Sequence, residues 1–161
     1  YEKTEAILDE AKLSNHGSYT AIGYYEAEEL FKIVVTLASH TGVAAPDMVK
    51  AFGQYLFAEL AKNHPAAVRG KSSVIEILTE LDSHIHVEVK KLYPEAELPK
   101  FDVLESSPTH INLLYSSKNR LEPLAVGLIL GAADFFNQTV QISLEAAEEN
   151  TSTINVKVIE N

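Results

Sequence analysis

Hydrophobic and polar positions follow two periods along this chain. Through Tyr93 the period is helical. Ala6, Ile7, Leu8, Ala11 and Leu13 are interleaved with acids and Lys, which predicts a short amphipathic helix over Glu2–Leu13. The run Ser14–Asn15–His16–Gly17–Ser18 is turn chemistry and closes it. Glu26–Ser39 is a stronger helix, with acids in the first turn, where the dipole favours them, and Gly42 just past its end. A third helix opens at Pro46–Asp47 and runs to Asn63, with Met48, Phe52, Leu56 and Leu60 spaced four apart. Pro65–Ser73 interrupts the pattern. Ser72 or Ser73 then caps a long fourth helix through Tyr93, with Leu78, Leu81, Ile85, Val89 and Leu92 as its buried stripe.

Beyond Pro94 the period shortens to two. Phe101–Leu104 and His110–Ser116 read as strands, the second with Ile111, Leu113 and Tyr115 on one face. Leu121–Asn137 is helical and holds the apolar stretch Leu124–Ala133, too short to span a bilayer. Thr139–Ala146 and Thr153–Ile159 form a hairpin around Glu148–Glu149–Asn150. The predicted fold is α+β, a single domain over 1–161: a mainly helical lobe, 1–100, followed by a β-β-α-β-β lobe, 101–161.

Composition removes several functions. Lys and Arg number 13 against 23 Asp and Glu, a formal charge of −10. Phosphate backbones and anionic leaflets are held by clustered cations, so neither a nucleic acid nor a membrane is an expected partner. The absence of Cys excludes disulfides, iron–sulfur clusters, thiolate zinc sites and cysteine nucleophiles. The opening residues are charged rather than a basic stub with an apolar core, and the expected location is cytoplasmic. No P-loop, HExxH or nucleophile elbow occurs, so no enzyme is expected. Gly127 and Gly131 make a GxxxG without the preceding glycine loop of a phosphate cradle, and read as close helix packing.

Two constellations could carry chemistry. The fourth helix bears Asp82, His84 and His86. At about 100° per residue the two imidazoles flank the buried stripe on opposite sides, about 200° apart, and cannot chelate one metal together. Each reads either as an ordinary border histidine or as a solitary ligand. One His makes a poor zinc site, but it suffices for haem, whose porphyrin supplies four nitrogens. In the second constellation, extended chain places Tyr115, Ser117 and Asn119 on one side, with Arg120 next. That set suits a carboxylate ligand, or is simply the polar end of an edge strand.

Taken in order, these residues resemble the haem nitric-oxide/oxygen binding (H-NOX) family, related to the haem domain of soluble guanylate cyclase. The stretch His84–Pro94, HIHVEVKKLYP, looks like the family's proximal-histidine helix, whose His stands seven residues before a Tyr-Pro turn. Pro99 lies thirteen residues after His86, Tyr115-x-Ser117 matches the start of a Tyr-x-Ser-x-Arg motif, and 127–136 looks like the helix that follows it. Lys50–Phe57 has the family look as well. The resemblance implies one haem b per chain, in a pocket between the lobes. Its iron would be ligated by His86, its plane distorted by Pro99, and its propionates held by Tyr115, Ser117, Asn119 and Arg120. Leu56 and Leu124 would line the distal side. An apolar distal side implies NO and CO rather than O₂ as ligands, because O₂ depends on a hydrogen-bond donor there.

By the same resemblance the chain would signal, as bacterial relatives do, to a separate histidine kinase or cyclic-dinucleotide enzyme. Two departures stand out. Asn119 occupies the family's Arg position, with Arg120 one residue late, and the family's opening segment does not precede Tyr1. They give weight to an alternative, a haem-free H-NOX-like scaffold that binds another apolar ligand or a protein. A small-molecule enzyme using Tyr115, Ser117 and His86 is a third, weaker alternative.

Overall fold

A computed structural model describes residues 2–20 and 23–160. Tyr1, on which the reading of an absent opening segment turns, lies outside them. The chain divides into two compact units, Tyr1–Val49 and Lys50–Asn161.

The first unit holds α1 (Glu2–Glu10), α2 (Ala27–Thr41) and the start of α3 (Ala45–Asn63). Helix α1 stops sooner than its apolar pattern suggests, because Lys12 turns into the left-handed region at φ 49°. Helix α2 ends as its sequence predicts: Gly42 takes φ 72° and its N–H returns to the Ala38 carbonyl. The loop between α1 and α2 is tied to Glu29. That carboxylate accepts from Ser14 N at 3.0 Å, Ser14 Oγ at 2.5 Å and Tyr19 Oη at 3.0 Å. His40 Nε2 lies 2.7 Å from Glu10 Oε2 and pairs the two helices.

The second unit is built on a four-stranded antiparallel sheet in the order β1-β2-β4-β3. The strands are β1 (Lys100–Ser107), β2 (His110–Ser116), β3 (Thr139–Ala146) and β4 (Thr151–Glu160). Strand β2 alternates as read: Ile111, Leu113 and Tyr115 are buried to within 1% of complete, with partly exposed residues between them. Across β4 they face Val156, Ile154 and Ser152. Helix α6 (Glu122–Phe135) lays Ala125, Ile129, Ala132 and Ala133 on this face, and Val74, Ile75 and Leu78 of α4 (Val74–Thr79) complete the core. Apolar burial of this kind contributes about 25 cal/mol per Å², so it dominates the stability of the unit.

The fourth helix is not continuous. It begins as predicted, with Ser73 Oγ accepting from Glu76 N at 3.2 Å. After α4 the chain widens into a π turn over Leu81–Ile85, in which Ile85 N reaches back five residues to the Glu80 carbonyl at 3.3 Å. Helix α5 (His86–Leu92) then resumes. The inserted residue rotates everything after it, so the predicted stripe fails at its far end. Leu92 is 61% exposed.

Candidate functional site

His86 is the first residue of α5, immediately after the π turn. The turn resolves the symmetry that a regular helix would impose on the two histidines. The His86 side chain is 17% exposed and that of His84 is 75% exposed. Asp82 Oδ1 lies 2.6 Å from His86 Nδ1, and Asp82 Oδ2 accepts the Phe101 backbone N–H of β1 at 2.8 Å. An ionised carboxylate only accepts hydrogen bonds, so the His86 proton sits on Nδ1 and Nε2 is the nitrogen left to ligate. A carboxylate behind a ligating imidazole is the usual outer-shell arrangement of a metal-binding His.

From His86 a run of rings leads into the sheet. The His86 and Phe101 rings are 5.8 Å apart, and Phe101 and Tyr115 are 5.2 Å apart and edge-on. The contact follows from strand register, since Phe101 pairs with Tyr115 across β1 and β2. Pro99, partly buried, enters β1 two residues before Phe101. Tyr115 is the penultimate residue of β2, and burial pushes its phenol above its ordinary value. The Ser117 hydroxyl and the Leu121 backbone oppose that shift, while the nearby Glu122 charge adds to it. The phenol is therefore neutral at physiological pH and keeps a proton to donate.

Beyond Tyr115 the chain is pinned by Ser117 N on the Asn150 carbonyl at 3.1 Å and by Asn119 N on Ser117 Oγ at 3.3 Å. Ser117 and Asn119 are partly buried, whereas Arg120 is exposed. Arg120 adopts φ 48°, a left-handed conformation that costs a non-glycine residue about 1–2 kcal/mol. Its Nε lies 3.5 Å from Glu122 Oε1. Glu122 is 7% exposed and was not among the residues singled out from the sequence. A Glu in the first turn of a helix ordinarily reads as a solvated dipole partner, and no local signal marks this one as buried.

Leu56 and Leu124, both partly buried, stand on α3 and α6. Those helices cross backbone to backbone. A Cβ on Gly53 would lie 2.6 Å from the Leu124 carbonyl, and one on Gly131 would lie 2.5 Å from the Gln54 carbonyl. A Cβ on Gly127 would strike the Lys50 carbonyl. The GxxxG is a packing device, and the glycine that completes it, Gly53, lies on the facing helix. Gln54 Nε2 adds a 2.6 Å bond to Asp134 Oδ2.

The donor set fits a haem. Among the described residues no group of three or more His, Asp or Glu is gathered for a metal ion, so a metal held here has to bring most of its own donors. A porphyrin would do so and would need one oriented imidazole, a requirement that the His86 ring fits. Neutral hydroxyl and amide donors near Tyr115 suit its carboxylates. Among the described residues no helix is long and apolar enough to cross a membrane.

A haem-NO-binding family model matches residues 1–144. The Fe(II) unliganded H-NOX protein of K. algicida is 29% identical and superposes with a TM-score of 0.93, covering 99% of this chain and 88% of that one. The S. oneidensis H-NOX protein in its Fe(II)NO state is 31% identical, with a TM-score of 0.87 and coverage of 98% and 89%. The IWP-051-bound H-NOX of Shewanella woodyi in the Fe(II)CO state is 36% identical, with a TM-score of 0.83 and coverage of 98% and 84%. No curated protein sequence matches significantly. The α+β architecture is that of these H-NOX structures, and the chain belongs to the haem-NO-binding (H-NOX) family of haem-based gas-sensor domains.

Proposed function

We propose that this chain is a gas sensor that binds one haem b through His86, takes NO and CO in preference to O₂, and reports to a separate effector protein. The observation that carries this reading is the Asp82 bridge. One carboxylate fixes the His86 tautomer and ties the ring to β1, so that a solitary ligand is held in one orientation. His86 would be the protein ligand of a bound haem, which would supply the iron that takes a diatomic gas.

The remaining roles fall to the chain. Tyr115 and Ser117 donate hydroxyl hydrogen bonds to the haem carboxylates, Asn119 donates its amide, and Arg120 supplies the nearby cation. Pro99, directly before β1, would press on a bound haem. Leu56 and Leu124 offer no hydrogen-bond donor, and O₂ depends on such a donor far more than NO or CO does. His86 sits at the joint between the π turn and α5, where a change in the pull on its ring acts on a helix already out of regular repeat. The expected effector is a histidine kinase or cyclic-dinucleotide enzyme in the cytoplasm, and the domain itself catalyses nothing.

One set of spectra tests this. The reduced protein should show a Soret band that moves with CO and with NO, and no long-lived oxy spectrum in air. His86→Gly should abolish haem ligation unless imidazole is supplied, and His84→Gly should leave the spectra unchanged. A His86→Gly protein with wild-type spectra refutes the assignment.

A further inference from the structure

Two cations follow Ser117 and both are engaged: Lys118 Nζ lies 3.4 Å from Glu97 Oε1, and Arg120 is held closer to the end of the site. Its Nε faces Glu122 Oε1 at 3.5 Å, and the same oxygen accepts from Ser152 Oγ at 3.1 Å. Glu122 and Ser152 are 7% and 3% exposed, whereas the Arg120 side chain is 57% exposed. A buried carboxylate stripped of its counter-ion is strongly destabilising, so Glu122 does not release Arg120 freely. Asn119 brings no charge of its own. Tyr115, Ser117, Asn119, Arg120 and Glu122 together therefore sum to zero, where a cation without Glu122 would leave one positive charge for an incoming carboxylate.

We infer that Glu122 is an internal counter-ion that occupies Arg120 and weakens capture of the haem carboxylates, which makes it an affinity-determining residue of this site. The inference rests on the haem-binding reading above. Glu122→Gln keeps an acceptor for Ser152 and the side-chain shape while removing the charge. Arg120 then faces the haem carboxylate alone, and one repulsion disappears. Arg120→Gln does the opposite and leaves Glu122 without its partner. The double variant removes both charges and returns the site to neutrality.

The test is the rate at which haem passes from each loaded protein to excess apomyoglobin, repeated with haem dimethyl ester, which has no carboxylate charge. Glu122→Gln should lose haem about tenfold more slowly than wild type, as expected for removing one nearby like charge at partial screening. Arg120→Gln should lose it about tenfold faster, and the double variant should return near the wild-type rate. With the dimethyl ester the four proteins should agree within about twofold. Thermal unfolding of the haem-free proteins separates this from a folding defect, since Glu122→Gln should melt with wild type.

Loss from Glu122→Gln that equals or exceeds the wild-type rate overturns the inference, as does an equal gain with the dimethyl ester. If Glu122→Gln does not fold, the double variant measured against Arg120→Gln asks the same of the charge, and equal rates overturn it. If wild type takes up no haem but Glu122→Gln does, the inference stands and the reading of the wild type as a haem protein falls. If neither takes it up, both fall.

Discussion

Removing Asp82 is expected to loosen two elements at once. Its two oxygens serve different masters: Oδ1 holds His86 Nδ1 at 2.6 Å and Oδ2 holds the Phe101 N–H at 2.8 Å. Hydrogen bonds to charged groups contribute about 1.5–3 kcal/mol each, and the 30% exposure of the Asp82 side chain argues for the low end. Asp82→Ala should then destabilise the haem-free protein by about 2–4 kcal/mol, read as a shift in the urea midpoint at constant slope. Loss of the group behind a ligating His costs about 10–100-fold in metal affinity, so haem should also leave faster by that factor. Asp82→Asn keeps one acceptor oxygen and turns its amide donor toward one of the two N–H groups. It should fall between wild type and Ala in stability. The iron–histidine stretching frequency should drop in both variants, because a neutral or absent partner leaves the imidazole a weaker base. His84→Ala is the control; its ring is largely exposed, and it should change stability by less than about 0.5 kcal/mol. An Asp82→Ala protein that retains haem and stability like wild type refutes the orienting role.

Three further outcomes follow from the packing and charge. Gly127→Ala places a methyl group against the Lys50 carbonyl of α3, and should cost about 1–3 kcal/mol or more in denaturant unfolding; an unchanged midpoint contradicts the backbone-to-backbone crossing. Leu113→Ala empties a fully buried position in the sheet and should cost about 2–5 kcal/mol by the same measurement. Glu29 titrates below its ordinary value of 4.5, first because the Ser14 hydroxyl and backbone N–H donate to its charged form, with Tyr19 adding to this and burial opposing it. A depressed carboxyl stabilises the fold fully above that ordinary value and loses the contribution as pH falls through the lower folded value. Stability of Glu29→Gln should therefore decline less steeply than wild type below about pH 4.5, and parallel acid limbs contradict the assignment.

Most of the second unit was legible because alternation and capping act locally. Strand β2 and strand β3 begin and end where their apolar periods and turn residues place them, and Ser73 caps α4 with the hydroxyl its position offers. The small residues of α6 also announced a close crossing, although the sequence did not show that Gly53 of α3 completes it. Glu122 was not legible. Its burial depends on Ser152 arriving from β4, thirty residues away, and on Arg120 folding back through a left-handed backbone. The first has no signature near Glu122 in the sequence, and the second turns on a backbone conformation that Arg does not announce. Local patterns set the strands and the α4 cap, whereas the partner that buries Glu122 comes from a distant strand.

The two histidines make the same distinction more sharply. At a constant 3.6-residue repeat His84 and His86 are equivalent flanks of one stripe, and periodicity alone has no means of choosing between them. The π turn over Leu81–Ile85 makes the choice physically, by adding one residue to the repeat between α4 and α5. No Gly or Pro marks it; the five residues are Leu, Asp, Ser, His and Ile. What stabilises the widened turn is tertiary: Asp82, inside it, is held by the Phe101 N–H of β1 and in turn holds His86 on the next helix. The same carboxylate therefore ties down the irregular turn and orients the imidazole. This explains why Asp82→Ala should move both stability and haem retention, while a substitution at Leu92, exposed beyond the turn, should move neither.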